Sequence, residues 1–403
     1  MFAIQPLEVL SKLSKENDTK IILLVMDGVG DIPFQGKTPL EAAKTLNLDK
    51  LASEHSVGLV DPVFPGITPG SGPGHLSLFG YNPLKYDIGR GILEALGVDM
   101  EVLPGDVTAR GNFCTITDGI VVDRRAGRIS TEKNKELISL LSSHIKEIDG
   151  VKIILKSGKE HRFVILLRGR GLQGFASDTD PHTEGNSILK SFPEEGGDKI
   201  ADIINKFTKE AEKILKEQKP ANGVLLRGIT AYPMIPQFPK LYKLKAAAIA
   251  TYPMYRGIAK LVGMDVLKLN GETIDDEVDG LRKNFEKYDY FFFHVKKTDS
   301  YGEDGNFEKK VKVIESVDKV IPQILSLKPD VLAVTGDHST PVPLKGHSWH
   351  PVPFLLYSMW TRRSNVKGFN ENECAKGNLG RIPSLYITSL LLANALRLDK
   401  YGA

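Results

Sequence analysis

Mainly apolar runs that end near an aspartate predict three buried strands in this chain. Runs without the alternation of a half-exposed strand are typical of parallel strands that are covered on both faces. Open α/β sheets place their ligands at the carboxyl ends of such strands, so the pattern predicts that the aspartates meet at one sheet edge. The three runs and the aspartates that follow them are 21–26 with Asp27, 288–295 with Asp299, and 331–335 with Asp337.

Helical spacing of apolar residues alternates with these strands. The segments 39–51, 307–327 and 385–396 have this spacing. Strands that alternate with helices are typical of a mostly parallel sheet covered by helices. We therefore predict an α/β fold whose core is a mostly parallel sheet with helices on both faces.

The middle of the chain has a different pattern. It contains the short apolar runs 163–167 and 224–226 and a long charged helix near 198–218, but none of the strands that end at an aspartate. The change predicts an inserted smaller domain, of α/β or α+β type. The predicted segments are 1–105 for the first part of a metal-binding core, 106–244 for the insert and 245–403 for the second part of the core.

The charge balance and the cysteines exclude several classes of protein. The 403 residues carry 53 Lys and Arg against 50 Asp and Glu, a formal net charge of +3. The basic residues are scattered, which argues against a nucleic-acid partner. The two cysteines, Cys114 and Cys374, form no disulfide or thiolate-metal pattern and so favour a reducing cytoplasm. No apolar run approaches the roughly 18 residues of a membrane span, so we expect a soluble cytoplasmic protein without a membrane partner or a targeting segment.

Ser71 is a candidate nucleophile because it lies in the glycine-rich segment 68–75. A serine oxygen attacks phosphorus when a divalent cation favours its alkoxide and neutralises the phosphate. Glycine-rich segments are also common in plain loops, where glycine serves a tight backbone path. This serine, however, stands between two aspartate-rich regions of the chain. A framed serine together with these aspartates favours phosphoryl transfer.

Carboxylates and imidazoles after the predicted strands make a mixed oxygen and nitrogen donor set. Such a set suits Mn²⁺, Zn²⁺ and related ions, and it is large enough for two of them. Taken singly, each residue has a plainer explanation, since an Asp-Gly pair after a strand is usually a turn. Their occurrence together with a framed serine is hard to explain as a set of independent turns. The candidate ligands are Asp27, Asp299, Glu303, Asp337, His338 and His347.

In this order, the motifs resemble those of the alkaline phosphatase superfamily, and specifically the cofactor-independent phosphoglycerate mutases of the archaeal type. The resemblance covers essentially the whole chain, and the segments 335–341 and 347–353 are its most specific parts. It implies an alkaline-phosphatase-like core with two metal sites. One ion would be held by Asp299, Glu303 and His347, and the other by Asp27, Ser71, Asp337 and His338.

Glu303 departs from the family pattern, which usually has a histidine four residues after the aspartate. A carboxylate adds negative charge and a harder donor atom, so preference for Zn²⁺ over Mn²⁺ should weaken. Alternatively, Glu303 faces solvent and binds no metal. The resemblance implies two divalent ions, Mn²⁺ ahead of Co²⁺, Zn²⁺ or Mg²⁺, and no bisphosphoglycerate cofactor.

A substrate with a phosphate and a carboxylate needs basic partners, and arginine suits both groups because it makes paired hydrogen bonds. For any one surface arginine, a solvated charge is the plainer explanation. The resemblance also implies a general acid and base, which we assign to Asp180. The candidate substrate-binding residues are Asp123, Arg124, Arg128 and Arg168 in the insert, and Arg256 and Lys260 in the core.

The resemblance implies interconversion of 3-phosphoglycerate and 2-phosphoglycerate through a phosphoserine at Ser71. The insert would hold the glycerate and exclude water, so that the phosphoserine is not hydrolysed. The core motifs also fit a metal-dependent phosphohydrolase or another phosphomutase of the superfamily. A protein that binds a phosphometabolite or a metal without turnover is a third hypothesis. The expected partner is a small phosphorylated acid, and the sequence leaves open whether the chain forms a homo-oligomer.

Overall fold

A computed structural model of the chain describes residues 6–86, 88–232 and 235–402. The strands, in chain order, are β1 (Ile21–Met26), β2 (Ser56–Asp61), β3 (Val107–Thr117), β4 (Ile120–Asp123), β5 (Glu147–Ile148), β6 (Val151–Ser157), β7 (Arg162–Arg168), β8 (Phe175–Ala176), β9 (Pro193–Glu194), β10 (Gly223–Ala231), β11 (Ala246–Ile249), β12 (Asp265–Val266), β13 (Tyr290–Val295), β14 (Val331–Thr335), β15 (Val352–Tyr357) and β16 (Gly380–Pro383).

The α-helices of the described residues are α1 (Pro6–Leu13), α2 (Pro39–Ala42), α3 (Leu46–Glu54), α4 (Ser71–Leu78), α5 (Arg90–Gly97), α6 (Thr131–His144), α7 (Asp198–Leu215), α8 (Phe238–Tyr242), α9 (Pro253–Leu261), α10 (Ile274–Asn284), α11 (Lys297–Glu303), α12 (Phe307–Ser326), α13 (Glu371–Cys374) and α14 (Ile387–Asn394). Short 3₁₀ turns occur at Ala126–Arg128, Phe285–Lys287 and Ser384–Tyr386. Among these helices, none is both long and apolar enough to cross a membrane.

The chain divides into two compact units. The core unit comprises residues 1–87 and 235–403, and the insert comprises residues 88–234. The boundaries predicted from the sequence, at 106 and 244, both lie later in the chain than the boundaries of the insert in the structure, at 88 and 234. Packing explains the earlier start, because Ala95 and Met100 belong to the same apolar cluster as two residues of β7. The substrate-binding role of the insert stays a prediction.

The core unit is built on an eight-stranded sheet with the order β12-β11-β13-β1-β14-β15-β2-β16. Every residue of β1, β13 and β14 is buried, as expected for strands that are covered on both faces. β1 pairs in parallel with β13 and β14, while β15 is antiparallel to its neighbours. The register pairs Met26 with Val295 and Val25 with Thr335, so three carboxyl ends meet at one edge. The predicted α/β fold with a mostly parallel core sheet is confirmed.

The insert has a sheet of its own, in the order β5-β6-β7-β3-β10-β8-β9, with β4 paired to β3. Its strand pairs are antiparallel. The charged helix foreseen near 198–218 is α7, which presents an apolar face that includes Ile200, Ile204 and Phe207 to the insert's core. The remaining faces of α7 carry its charges, as is usual for a helix on the surface of a sheet.

The helix predicted over 39–51 is two helices in the structure, α2 and α3. A capping box between Thr38 and Glu41 starts α2, and the backbone becomes extended at Ala43. The carboxylate of Asp318 then accepts the backbone N–H of Leu48 at 2.8 Å, in the first turn of α3. This carboxylate satisfies N–H groups that an uninterrupted helix would have bonded internally.

Candidate active site

Asp27 lies directly after β1, where the backbone turns sharply. Gly28 has a φ of +59°, a left-handed conformation that glycine adopts readily. A Cβ at Gly28 would lie 2.8 Å from Asp299 Oδ1, so the close approach of the two aspartate loops requires glycine. The Asp27 side chain is fully buried. The Asp-Gly pair therefore forms a turn, as such pairs after a strand usually do, and its aspartate is also part of a buried acidic cluster.

Ser71 is the first residue of α4, and its hydroxyl faces the loop after β14. Ser71 Oγ lies 3.2 Å from His338 Nε2. One turn along the helix, His75 Nδ1 donates to the backbone carbonyl of Ser71 at 2.8 Å. Ser71 is 9% exposed and His75 is fully buried. The candidate nucleophile is thus held in a nearly enclosed position beside an imidazole.

Asp27, Asp337 and His338 form a first cluster, group A, whose ligand atoms lie within 4.8 Å of one another. His338 Nε2 is 3.2 Å from both Asp27 Oδ1 and Asp337 Oδ2. Both oxygens are buried, and neither has a hydrogen-bond partner among the described residues. Buried carboxylate oxygens without partners are costly unless a cation neutralises them. Group A therefore fits a divalent cation, with Ser71 Oγ close enough to share it.

Asp299, His338 and His347 form a second cluster, group B, which satisfies the same 4.8 Å limit. His347 Nε2 lies 3.6 Å from Asp299 Oδ1, and the two imidazole rings stack at 3.7 Å. His347 Nδ1 donates to the carbonyl of Pro69 at 2.9 Å. This bond leaves Nε2 free to act as a ligand and fixes the direction of the ring, a common arrangement for metal-binding histidines.

The electrostatics of group A favour positive charge. Burial alone would raise the pKa of Asp27, but the His338 side chain and the charge of Lys296 outweigh it and hold that pKa well below its ordinary value. Burial alone would lower the pKa of His338, but the carboxylates of Asp337 and Asp27 outweigh it and raise that pKa to about 9. The Asp27 carboxylate is thus ionised, which favours binding of a cation.

Glu303 lies at the margin of this arrangement. Its carboxylate is 4.0 Å from His347 Nε2, and its side chain is 54% exposed. Glu303 is absent from the two compact clusters, and in group B His338 takes the third place that the sequence assigned to Glu303. The structure thus brings together six of the predicted metal-binding residues, while the role of Glu303 as a ligand stays a prediction. The six are Asp27, Ser71, Asp299, Asp337, His338 and His347.

Lys296 joins the two clusters and was not foreseen. Its Nζ lies 3.0 Å from Asp27 Oδ2 and 2.5 Å from Asp299 Oδ2. It also lines a cavity of about 740 Å³ in the core unit, together with Tyr252 and Ser300. No pattern in the sequence separates this lysine from a surface lysine; the only hint is its position three residues before a predicted ligand.

Lys310, on α12, is a second lysine that sequence reasoning missed. Its ammonium is fully buried and donates to the carbonyls of Gly28 and Thr340, each at 2.9 Å, and to Asp31 Oδ2 at 2.8 Å. Gly28 follows Asp27 directly, and Thr340 comes two residues after His338. Lys310 therefore ties together the two loops that carry group A.

Asp180, the predicted general acid and base, is engaged within the insert. Its carboxylate accepts two hydrogen bonds from Arg124, at 2.8 and 2.7 Å, and one from the backbone N–H of His182 at 2.9 Å. The side chain is fully buried. Burial alone would raise the pKa of Asp180, but Arg124 and the His182 N–H outweigh it and lower the pKa. A substrate would have to displace Arg124 before it could reach this carboxylate.

Two other candidates of the insert also have internal partners. Arg168 makes a paired contact with Asp106, at 2.9 and 2.8 Å, and a third hydrogen bond to the carbonyl of Glu101. Asp123 accepts the backbone N–H groups of Arg125 and Gly127 and so closes a turn. These contacts account for both residues without a substrate, and their substrate-binding role stays a prediction.

The remaining predicted basic residues lie on separate elements. Arg128 is exposed at the end of the 3₁₀ turn Ala126–Arg128 in the insert. Arg256 and Lys260 are half-buried on α9, in the core unit. Arg256 and Lys260 are four residues apart, which places them on neighbouring positions of one helix face.

A cavity of about 370 Å³ lies in the insert and presents Asp178 and His182. Asp178 Oδ1 accepts the N–H of Gly228 at 2.8 Å, and Asp178 Oδ2 lies 3.5 Å from His182 Nε2. The side chains of Asp178 and His182 are 29% and 53% exposed. Asp178 and His182, each two positions from Asp180, thus line a cavity that Asp180 itself does not line. Sequence spacing could not separate two aspartates that stand two positions apart.

Known proteins are similar to this chain in both sequence and fold. A family model described as 2,3-bisphosphoglycerate-independent phosphoglycerate mutase matches residues 52–222. A Thermotoga neapolitana protein named probable 2,3-bisphosphoglycerate-independent phosphoglycerate mutase is 57% identical over 394 residues, which are 98% of this chain and 98% of that protein. The chain belongs to this family. A Thermus thermophilus member with the same name is 48% identical, over 98% of this chain and 99% of that protein.

Two solved structures have a fold similar to that of this chain. The cofactor-independent phosphoglycerate mutase of Thermoplasma acidophilum is 34% identical, covers 94% of this chain and 100% of its own, and has a TM-score of 0.74. A Pyrococcus horikoshii protein is 32% identical, covers 96% of this chain and 100% of its own, and has a TM-score of 0.82. The mutase family predicted from the sequence is therefore confirmed, and the groups A and B lie in a chain of that family.

Proposed function

We propose that the chain is a phosphoglycerate mutase that interconverts 3-phosphoglycerate and 2-phosphoglycerate without a bisphosphoglycerate cofactor. The observation that carries the proposal is the convergence of Ser71 Oγ and two unpartnered carboxylate oxygens, of Asp27 and Asp337, on His338 Nε2. A nucleophile beside a cation site is the arrangement that phosphoryl transfer requires. The names of the relatives, at 48 to 57% identity over nearly the whole chain, support the same reaction.

The reaction has two halves that use the same serine. In the first half, a bond forms between Ser71 Oγ and phosphorus as the bond from phosphorus to O3 of the glycerate breaks. Oγ loses its proton, and O3 gains one. In the second half, O2 of the glycerate loses its proton and attacks phosphorus, the Oγ–phosphorus bond breaks, and Oγ regains a proton. Charge is conserved throughout, so the protein has to hold the glycerate and supply one proton-exchanging group.

Two divalent ions, with Mn²⁺ foremost and Co²⁺, Zn²⁺ or Mg²⁺ as alternatives, suit the proposed reaction. Group A with Ser71 would hold one ion, and Asp299, His347 and Glu303 would hold the other. Mixed carboxylate and imidazole donors fit Mn²⁺ well. When bound, such ions favour the serine alkoxide and neutralise the phosphoryl group. Lys296, which contacts both Asp27 and Asp299, adds a third cationic group, after the two ions, for the phosphoryl oxygens.

The insert supplies the groups that hold the glycerate in this proposal. Its cavity offers Asp178 and His182 as partners for the glycerate hydroxyls, and either could exchange a proton with them. Asp180 supports this site indirectly, because its carboxylate fixes Arg124 and the backbone of His182. A cytoplasmic location and a homo-oligomer stay predictions, and the two free cysteines, Cys114 and Cys374, are buried.

The deciding experiment mixes purified protein, Mn²⁺ and 3-phosphoglycerate without bisphosphoglycerate, and follows 2-phosphoglycerate and free phosphate together. We expect 2-phosphoglycerate with little free phosphate. Mostly free phosphate would support a phosphohydrolase, and no turnover would support a binding protein.

Ser71→Ala should lower mutase turnover by several orders of magnitude, because the phosphoryl acceptor is lost. Ser77→Ala is the matched control: Ser77 is buried on the same helix, and its hydroxyl accepts a hydrogen bond from Ser384 at 3.1 Å, away from group A. The Ser77→Ala variant should keep turnover near that of the wild type. Turnover of Ser71→Ala equal to that of Ser77→Ala would exclude the covalent mechanism.

A further inference from the structure

Tyr255, on α9, is buried at the centre of the core unit beside group A. Its ring stacks on His294 with 3.7 Å between ring centroids and lies 4.8 Å from His75. The residue is fully buried. These contacts explain an aromatic ring at this position, but they do not explain the hydroxyl, since phenylalanine would make the same ring contacts.

The hydroxyl of Tyr255 contacts a residue of the proposed chemistry. It donates a hydrogen bond to Asp27 Oδ2. Lys296 Nζ approaches the same Asp27 oxygen at 3.0 Å. Oδ2 is therefore fully engaged, which leaves Oδ1 as the oxygen that faces His338 Nε2.

We infer that Tyr255 is a positioning residue for phosphoryl transfer, because its hydroxyl holds Asp27 Oδ2 and so directs Asp27 Oδ1 toward the metal position of group A. The inference rests on the proposed function and deepens it. Without the hydroxyl, the Asp27 carboxylate can rotate and share Oδ2 between the metal position and Lys296. Partners of this kind fix the direction of a ligand, and their loss typically costs about 10–100-fold in metal affinity or activity.

Tyr290, another buried tyrosine of the core unit, shows that packing alone does not require a bonded hydroxyl. The hydroxyl of Tyr290 has no hydrogen-bond partner among the described residues, whereas the hydroxyl of Tyr242 donates to the carbonyl of Phe79 at 3.3 Å. Both side chains are as buried as Tyr255. Tyr290→Phe is therefore the matched control for Tyr255→Phe, because it removes the same atom from the same core at a distance from group A.

The first test measures Mn²⁺ binding to chelator-treated protein by isothermal titration calorimetry and needs no turnover. We expect Tyr255→Phe to weaken one of two binding events by about 10–100-fold and to leave the other within about twofold. Tyr290→Phe should match the wild type in both. Equal Mn²⁺ affinities for Tyr255→Phe and wild type would overturn the inference, even if the mutase assignment is correct.

The second test separates positioning from a general structural role. At saturating Mn²⁺, kcat of Tyr255→Phe for 3-phosphoglycerate should fall by about 10–100-fold while KM stays within about twofold. Replacing Tyr255 with 4-aminophenylalanine, which keeps a donor at the ring position, should recover most of kcat. A parallel loss in Tyr290→Phe, a change confined to KM, or no recovery would each refute the inference. If Tyr255→Phe fails to fold while Tyr290→Phe folds, the Tyr255 hydroxyl is needed for folding, and the inference is refuted as well.

Discussion

A single side chain, that of Glu303, lies at the edge of group B. Glu303 is half-exposed and 4.0 Å from His347 Nε2, which is close enough for a side-chain rotation to bring both onto one ion. We expect Glu303→Ala to weaken one of two Mn²⁺ binding events by about tenfold or more, and Glu303→His to raise affinity for Zn²⁺ relative to Mn²⁺. Calorimetry with each metal measures both effects. Glu308→Ala, an exposed acidic residue on α12, is the control, and identical metal binding in Glu303→Ala would remove Glu303 from the site.

Glu277, on α10, makes stability depend on pH. The residue is 4% exposed, and burial raises the pKa of its carboxyl to about 8, with Lys297 opposing and Asp276 adding to the shift. A raised pKa means that the folded state holds a proton that the unfolded state has lost, so unfolding free energy should fall as pH rises from about 5 to 8. The loss is at most roughly 4 kcal/mol.

Glu277→Gln removes this ionisation, so its stability relative to the wild type should increase between pH 5 and pH 9. Urea unfolding at both pH values measures the difference. Glu272→Gln, at an exposed position of the cavity that Glu277 and Lys296 also line, should show no such increase. Parallel pH profiles for Glu277→Gln and the wild type would contradict the assignment.

The residues that the sequence could predict are those with a local signal. Asp27, Asp299 and Asp337 each follow an apolar strand, and His338 and His347 stand close to the third of them. Lys296 and Tyr255 have no such signal, because their importance comes from contacts across elements that no spacing along the chain encodes. Asp180 is covered by Arg124, whereas Asp178 lines a cavity. That difference belongs to packing and becomes visible only in the folded chain.

The secondary-structure elements that hold the site were predictable to different degrees. Uniformly apolar strands, such as β1 and β14, are buried on both faces and must lie inside a sheet, so their parallel pairing followed from the pattern. The break between α2 and α3 could not be predicted from the pattern, because it depends on the carboxylate of Asp318, a residue of helix α12 that is distant in the sequence. Tertiary contacts of this kind override local helical spacing.

The same helix α12 carries Lys310, whose removal should loosen both loops of group A. Lys310→Met leaves the Asp31 carboxylate and the carbonyls of Gly28 and Thr340 without their buried donor, and breaking a buried pair typically costs about 3–5 kcal/mol. We expect that loss in urea unfolding, together with weaker Mn²⁺ binding. Lys319→Met, at an exposed position of α12, should change stability by less than about 0.5 kcal/mol. Equal stability of the two variants would show that Lys310 does not hold the loops.

The chain as a whole divides into two compact units, and the core unit carries groups A and B. The sequence indicated an insert because the strands that end at aspartates stop and resume, but it placed the first junction too late for α5, which packs with the insert. It also could not assign internal partners within the insert, where Arg168 is paired with Asp106 and Arg124 with Asp180. Ion pairs between distant positions leave no periodic trace in a sequence.

This division predicts that damage to the insert changes the fate of the phosphoserine. If the insert holds the glycerate after Ser71 is phosphorylated, then weakening that hold lets water compete for the phosphoryl group. Asp178→Asn with His182→Ala removes the two candidate groups of the insert's cavity and leaves groups A and B intact. Mutase turnover should fall, and the ratio of free phosphate to 2-phosphoglycerate formed from 3-phosphoglycerate should rise severalfold above that of the wild type.

Two controls assign the free phosphate to the proposed path. Lys213→Ala, on the exposed face of α7 with only a surface ion pair to Glu210, should leave both products unchanged. Adding Ser71→Ala to the double variant should abolish phosphate release, because the phosphoserine can no longer form. Phosphate release that persists without Ser71 would mean direct attack of water on the substrate. A double variant that loses both products in the same proportion would mean that the insert contributes to the first phosphoryl transfer and not to recapture of the phosphoryl group.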